Sequence, residues 1–408
     1  MWAAGCMPAL ADERRLSNGG PVRIAIDTLF EHATRPSSAV DFLVNLATYL
    51  PRVGPHHSYH LLVGRRGVQR YECLRRHNVS LVDCLVSNEH RALRIFMQQS
   101  LIPWQMKRMK VDVLFAAGNV CPVFGDFCRV LKINTLHHYR TPEMIGYLRS
   151  AYRGVAFARS AKVADCIMAN SNSTRDDICH FLGVDDKKVK VVWEAVDDSF
   201  VPTTPEQMDS MRQRYGLKRE YILFSSTLWP YKNAETLIRA FAKVVIDKHL
   251  DYELLLVGRV DDTSYEARLK RVAQQVGVAD RVRFMGFFPN REMPPLYSAA
   301  RVFVYPSLSE TFGKPLVEAM RCGVPIVASN ISCIPEVLGG AGLLVAPLDV
   351  DQMATAIYRT AVEEPLRTEL IARGSQRGEC FSWQAAAQQI LAVIEETFVN
   401  WKASRNGA

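Results

Sequence analysis

The chain alternates short apolar strands with helical segments, and this alternation runs twice along the sequence. The first run extends from an apolar, β-branched stretch at 22–29 to another at 189–192, and the second extends from 221–225 to a helical pattern at 350–363. The segment 194–205 between them is acidic and contains two prolines, which is typical of a linker. Strand–helix alternation favours parallel sheets covered by helices on both faces. The sequence therefore predicts an α/β protein with two doubly wound domains.

Four segments follow from this pattern. They are a disordered leader at 1–21, a first domain at 22–196, a second domain at 197–385, and a C-terminal helix at 386–408 that packs back toward the first domain. Parallel sheets bind ligands at the carboxyl ends of their strands. We therefore expect the functional site in a cleft between the two domains.

Basic side chains are concentrated in the first half of the chain. The whole sequence has 50 Lys and Arg against 42 Asp and Glu, and residues 51–160 alone have 17 against six. Such asymmetry indicates an anionic partner, which is a membrane surface, a phosphorylated acceptor or a nucleic acid. The alternative is a basic surface that is only solvated and binds no partner. The segment 90–110 mixes Arg and Lys with Leu, Phe and Trp, which suits an interfacial helix as well as a helix packed on a sheet. No apolar run reaches the roughly 18 residues of a membrane span.

The cysteines and the N-terminus bear on the compartment. Ten cysteines are scattered without a CxxC pair or zinc-type spacing, which predicts reduced thiols in a cytoplasmic protein and no metal site. The first 21 residues lack a basic region followed by an apolar one, so no signal peptide is expected.

The segment 305–327 carries the most specific chemistry. A strand ends at Tyr305, a polar turn containing Glu310 follows, and Gly313 and Pro315 suit the start of a helix. Free amides at a helix N-terminus form an anion site for a phosphate or diphosphate. Glu310 and Glu318 flank this position, and carboxylates accept paired hydrogen bonds from vicinal sugar hydroxyls. The pattern predicts a cradle for a nucleotide sugar.

This segment resembles the signature of the retaining glycosyltransferase family 4, which has the GT-B architecture of two Rossmann-like domains. The family pattern has two Glu separated by seven residues. The matching positions here are Pro306, Ser307, Glu310, Phe312, Gly313, Pro315, Glu318, Ala319, Met320, Gly323 and Pro325. The resemblance implies that Glu310 orients the donor sugar and Glu318 holds the ribose. It assigns further donor contacts to Phe312, Gly313, Lys314, Leu316 and Val317.

A second element of the family follows the first strand of the second domain. Lys232 in the stretch 225–233 matches the family's diphosphate-binding Lys, whereas Thr227 replaces its usual Arg. This resembles the Thr-bearing subgroup, which often uses GDP-mannose. Arg259 is our candidate for the cation that would bind the phosphate in place of the family's Arg. The alternative for Lys232 is a surface lysine at a helix start.

The first domain matches the family less closely. The loop at 35–39 contains no Gly, and the family's His–Asp pair reads His137–His138. The resemblance places His137 near the reacting sugar and leaves the role of His138 open. The turn at 170–173 resembles the family's Ser-rich turn that faces the cleft.

The resemblance implies a metal-independent hexosyltransferase that acts in polysaccharide or glycolipid assembly. The implied donor is a nucleotide-diphosphate sugar, and GDP-mannose is the first candidate. The implied acceptor is a saccharide or a polyprenyl-diphosphate-linked saccharide at the inner face of the plasma membrane. A UDP-sugar donor is the alternative, and a non-enzymatic anion-binding protein is a more remote one. The chain has no GxGxxG turn for a dehydrogenase and no nucleic-acid recognition module.

Overall fold

The computed structural model describes residues 20–30, 38–65, 67–84, 91–140 and 146–406. Residues 1–19 of the leader predicted at 1–21, and residues 31–37, lie outside this part of the chain. The described chain divides into two compact units. The C-terminal unit is Glu194–Ser382, and the N-terminal unit combines the residues before Glu194 with those from Trp383 onward.

The N-terminal unit contains a parallel seven-stranded sheet with strand order β3-β2-β1-β4-β5-β6-β7. Its strands are β1 (Arg23–Asp27), β2 (Ser58–Val63), β3 (Val79–Asp83), β4 (Val113–Ala116), β5 (Cys128–Ile133), β6 (Cys166–Ala169) and β7 (Val189–Val191). The described helices of this unit are α1 (Ser38–Val53), α2 (Val68–Tyr71), α3 (Arg91–Met109), α4 (His137–Arg140), α5 (Tyr147–Val163), α6 (Asn172–Leu182) and α15 (Trp383–Asn406). Strands β4 and β6 are buried at every position, as expected for a sheet covered on both faces.

Helix α15 begins just after the C-terminal unit ends and packs in the N-terminal unit. Trp383 at its start is 1% exposed, and its ring lies 5.5 Å from the ring of Phe42 in α1. Farther along, Glu395 accepts a hydrogen bond at 2.8 Å from Nε2 of His57, which is also buried. These contacts connect the last helix to the helix and turn that precede β2.

The C-terminal unit contains a parallel six-stranded sheet with strand order β10-β9-β8-β11-β12-β13. Its strands are β8 (Glu220–Ser225), β9 (Tyr252–Val257), β10 (Val282–Gly286), β11 (Val302–Tyr305), β12 (Ile326–Ser329) and β13 (Gly342–Val345). Its helices are α7 (Pro205–Tyr215), α8 (Ala234–Ile246), α9 (Thr263–Gln275), α10 (Met293–Ser298), α11 (Lys314–Arg321), α12 (Ile334–Leu338), α13 (Val350–Val362) and α14 (Glu364–Gly378). Two Rossmann-like domains are thus present, as predicted.

Three helices of this unit were missed from the sequence, namely α7, the five-residue α12 and α14. The predicted linker ends at α7, whose start is fixed by Pro205 and by a capping box in which the Thr204 hydroxyl accepts from the Gln207 amide. Helix α14 has few apolar residues, and two of its three buried positions are glycines, of which Gly374 faces Met320 of α11. Periodicity of large apolar residues cannot detect a helix that packs through glycine.

The structure can be compared with two sequence-based expectations, namely reduced cysteines and the absence of a membrane-spanning segment. Eight cysteines in the described residues are free. Cys380 is disulfide-bonded, so the expectation of fully reduced cysteines is wrong at this position. No helix in the described part of the chain has both the length and the apolar character to span a bilayer.

Candidate functional site

Lys232, Tyr305 and Glu310 form a buried cluster beyond the carboxyl ends of β8 and β11. Nζ of Lys232 contacts Oε1 of Glu310 and also donates to the Tyr305 hydroxyl at 3.2 Å. That hydroxyl donates to the same Glu310 oxygen at 2.7 Å. The side chains of Lys232 and Glu310 are only 10% and 9% exposed, so each charge is compensated mainly by the other. Lys232 is therefore not the surface lysine of the alternative interpretation.

The turn that carries Lys232 is fixed by the residue after it. Asn233 adopts a left-handed backbone conformation with φ of 59°, which Asn tolerates better than most residues. Its side-chain amide donates to the carbonyl oxygens of Pro306 at 3.0 Å and Pro347 at 2.6 Å. The Leu308 amide also donates to the Tyr231 carbonyl at 2.7 Å. These bonds connect the lysine turn to the turn that carries Glu310.

Glu318 lies in helix α11, in the second half of the motif. Its Oε2 accepts a hydrogen bond at 2.9 Å from the hydroxyl of Tyr297, a fully buried residue of α10. Gly313 caps the helix with φ of 82°, a conformation that glycine adopts without strain. The Leu316 amide donates to the Gly313 carbonyl, and Pro315 has no amide hydrogen. Fewer backbone amides are therefore free at the start of α11 than the sequence predicted. Side-chain cations must provide more of any anion binding.

The other residues assigned to this helix start have well-defined surroundings. Lys314 forms an ion pair at 3.4 Å with Glu194, and both side chains are largely buried. The Phe312 ring is 2% exposed and packs edge-on against Phe381. The side chains of Leu316 and Val317 are fully buried, so these two residues offer a ligand only backbone atoms.

Thr227 and Arg259 lie in adjacent loops that follow β8 and β9. The Leu228 amide donates to the Arg259 carbonyl at 3.0 Å. A Cβ at Gly258 would lie 1.9 Å from the Ser226 carbonyl oxygen, so glycine is required for this close approach. The Arg259 guanidinium pairs with Asp261 and its side chain is 54% exposed. Arg259 remains a candidate cation for binding a phosphate, although Asp261 already partly neutralises its charge.

In the N-terminal unit, the structure describes less of the predicted site. His137 begins the short helix α4 after β5, and its side chain and that of His138 lie outside the described residues. In the turn after β6, the Ser171 hydroxyl caps α6 by accepting from the Thr174 amide at 3.0 Å. Asn170 is 2% exposed, and its Oδ1 has no hydrogen-bond partner within the described part of the chain.

One group of potential metal ligands occurs among the described residues, namely His56, His57 and Glu395. The backbone amide of Val22 donates to Nδ1 of His57 at 3.0 Å. Nδ1 is therefore the acceptor of the neutral ring, and Nε2 carries the proton that is donated to Glu395. A metal at Nε2 requires that this proton be removed, so the cluster fits a structural hydrogen bond better than a metal centre.

Sequence reasoning identified Lys232, Glu310 and Glu318 but missed the residues that hold them. Tyr297 and Tyr305 were assigned only to a helix and a strand end, and Asn233 only to a helix start. Buried tyrosines in apolar segments give no sequence signal for a polar role, because their rings fit a core equally well. For Asn233, the signal was its position directly after the lysine at a helix start, where Asn is favoured.

Comparisons with known proteins bear on the family and the fold of the chain. The family model described as Glycosyltransferase Family 4 matches residues 39–200, and that described as Glycosyl transferases group 1 matches residues 207–377. The O-antigen chain mannosyltransferase B of Escherichia coli is 30% identical over 265 residues, which are 64% of this chain and 67% of that protein. Serotype-specific mannosyltransferase WbdA of Escherichia coli is 31% identical over 227 residues, which are 55% of this chain and 28% of that protein.

Solved structures share the fold. The crystal structure of Anabaena Alr3699/HepE in complex with UDP and glucose superposes with a TM-score of 0.71 at 21% sequence identity. The match covers 92% of this chain and 100% of that chain. The architecture is thus that of the GT-B glycosyltransferases. The chain belongs to the group 1 glycosyltransferases of family 4, within the mannosyltransferase-like group.

Proposed function

We propose that the protein is a retaining glycosyltransferase that transfers mannose from GDP-mannose to a saccharide or a lipid-linked saccharide. The contact between Lys232 and Glu310 carries this proposal. It joins a cation suited to a diphosphate and a carboxylate suited to sugar hydroxyls in one buried cluster. Glu318 in helix α11 supplies a second carboxylate, which we assign to the ribose.

The choice of donor is supported by Thr227 and by the mannosyltransferase relatives. A UDP-sugar is the second candidate, because the Anabaena structure with the same fold contains UDP and glucose. Incubation with GDP-mannose, UDP-glucose and UDP-galactose in parallel, with an undecaprenyl-linked saccharide acceptor and mass-spectrometric detection, distinguishes them. Transfer from GDP-mannose alone is the expected result. Transfer only from a UDP-sugar contradicts the assignment of the donor.

The proposed chemistry depends on stabilising the departing diphosphate. Lys232 neutralises developing negative charge while an oxocarbenium-like sugar forms, and removal of such a donor costs on the order of 100- to 1,000-fold in rate. The acceptor hydroxyl attacks on the face that the diphosphate leaves, with a phosphate oxygen as base, so the anomeric configuration is retained. We propose that protein cations perform this role without a metal. Unchanged turnover in EDTA and an α-linked product by NMR are the expected results.

We assign His137 to the reaction site on the acceptor side, because it begins α4 directly after the carboxyl end of β5. A neutral imidazole at this position can accept a hydrogen bond from a sugar hydroxyl. His137→Ala is expected to lower transfer more than His138→Ala, its sequence neighbour and matched control. Equal losses in both variants contradict a specific role for His137.

We further propose that the N-terminal unit attaches to an anionic membrane surface on the cytoplasmic side. Phe96 and Trp104 on α3 are 66% and 55% exposed, and Arg108 lies over the Trp104 ring at 5.4 Å. Ser100 lies four residues from each of Phe96 and Trp104 and is also exposed, so these three residues follow one another along the exposed side of the helix. Exposed aromatic rings beside cations suit the interface of an anionic bilayer.

Liposome flotation tests this attachment. The double variant Phe96→Ala/Trp104→Ala is expected to lose binding to vesicles containing phosphatidylglycerol. Phe287→Ala, which changes a residue 64% exposed in the C-terminal unit, serves as the matched control and should retain binding. Equal flotation of the double variant and the wild type contradicts the proposal.

A further inference from the structure

Each of the two motif carboxylates is held by its own buried tyrosine hydroxyl. Tyr305 donates to Glu310 at 2.7 Å, and Tyr297 donates to Glu318 at 2.9 Å. The tyrosines are 1% and 0% exposed, so neither hydroxyl is solvated. We propose that Tyr305 and Tyr297 are positioning residues that orient the sugar-binding and ribose-binding carboxylates, an inference that rests on the proposed transferase function.

The Tyr305 hydroxyl has two partners of opposite charge. It accepts a hydrogen bond from Nζ of Lys232 at 3.2 Å and donates its single proton to Oε1 of Glu310. When a donor diphosphate attracts the Lys232 ammonium, Glu310 keeps the Tyr305 bond. The carboxylate is then still fixed on one side and can accept hydroxyls of the sugar on the other. Tyr305 therefore acts on the orientation of the reacting sugar.

Tyr297 acts on a different part of the donor. Its hydroxyl contacts Oε2 of Glu318 from helix α10, whose last residues lead into β11. The ribose held by Glu318 is remote from the bond that breaks. An interaction there contributes equally to the ground state and the transition state, so its loss raises KM and leaves kcat unchanged.

The two tyrosines belong to one packed row of rings. The Tyr297 and Phe303 rings lie 5.3 Å apart and nearly perpendicular, and the Phe303 and Tyr305 rings lie 5.9 Å apart and nearly parallel. Packing of this kind locks the rotamers of both tyrosines, as a support for binding groups requires. Burial, followed by the charge of the adjacent carboxylate, raises the pKa of each tyrosine well above its ordinary value. Both hydroxyls therefore stay protonated and keep donating.

Phenylalanine variants test the two roles separately. Tyr305→Phe is expected to lower kcat by about 10- to 100-fold, the effect of one hydrogen bond to a charged group, and to leave the Kd for GDP unchanged. Tyr297→Phe is expected to raise the donor KM and the Kd for GDP by about tenfold with kcat retained. Initial rates over a range of GDP-mannose concentrations and calorimetry with GDP provide these values.

Tyr59→Phe is the matched control. Tyr59 is also fully buried, but its hydroxyl donates to the Gly54 carbonyl in the N-terminal unit. This variant should lose thermal stability without a change in kcat or KM. If both site variants behave like Tyr59→Phe, or if both alter kcat and KM in the same proportion, the positioning roles are overturned. Absence of transfer by the wild type with every donor of the panel instead contradicts the proposed function.

Discussion

Replacing Lys232 with alanine removes the ammonium from a cluster that is largely excluded from water. Glu310 then keeps only the Tyr305 hydroxyl among the cluster contacts described above, and its own side chain is 9% exposed. Loss of one member of a buried ion pair typically costs about 3–5 kcal/mol, because the remaining charge is uncompensated. A domain is stable by about 5–15 kcal/mol, so Lys232→Ala should fold at 25 °C with a clearly lower unfolding midpoint.

The same substitution removes the proposed cation for the leaving diphosphate. We expect turnover of GDP-mannose to fall by on the order of 100- to 1,000-fold. Removing both charges should be less damaging to stability than removing one. The double variant Lys232→Ala/Glu310→Ala should therefore be more stable than Lys232→Ala alone, although it transfers no more sugar.

Urea unfolding followed by circular dichroism measures the stability, and donor turnover measures the activity, in all members of this cycle. Lys243→Ala is the control, because Lys243 pairs with Asp351 in the same unit but both side chains are well exposed. That variant should change neither stability nor turnover noticeably. Near-wild-type turnover of Lys232→Ala refutes its role at the diphosphate. A double variant less stable than Lys232→Ala refutes the buried-charge reasoning.

Three further predictions concern the surroundings of this cluster. Gly258→Ala should abolish GDP binding in calorimetry and lower the thermal midpoint, because the new Cβ collides with the Ser226 carbonyl at 1.9 Å. Asn233→Ala should destabilise the protein by on the order of 2–3 kcal/mol in urea, because two carbonyl oxygens lose a donor. Since the folded pKa values of Tyr297 and Tyr305 are raised above 10.0, the associated stability is complete below pH 10 and is lost as pH rises beyond it. As the pH rises from about 9 to 11, the thermal unfolding midpoint should therefore fall less steeply in Tyr305→Phe than in the wild type.

The parts of the fold that were predictable are those built by large apolar residues. The strands β9 and β11 are apolar at nearly every position because helices cover both faces of their sheet, and such runs are visible in the sequence. Helix α14 was not predictable, because its contact with Met320 is made by Gly374. A residue without a side chain contributes no apolar periodicity, although it allows the closest packing.

The candidate site was predictable to the extent that its chemistry follows from residue type. Glu310 and Glu318 were identified because carboxylates bind sugar hydroxyls, whereas Lys232 was identified from its match to the family's diphosphate-binding Lys. The contact between Lys232 and Glu310 was not predictable, since 78 residues separate them in the chain. Only the parallel order of β8 and β11, which are adjacent in the sheet, brings their carboxyl ends together.

The pairing of Lys232 with Glu310 has a consequence for how a donor is recognised. A nucleoside diphosphate that attracts the ammonium leaves the Glu310 carboxylate with the Tyr305 hydroxyl but without its compensating cation, and a buried charge that is not compensated is costly. If Glu310 binds the donor sugar as we propose, a nucleotide sugar restores the missing hydrogen bonds, because its hydroxyls donate to the carboxylate. The cost of separating the pair is therefore offset only by the complete donor. The proposed roles therefore predict discrimination between the donor and its diphosphate product, since the product lacks the sugar that replaces Lys232 at the carboxylate.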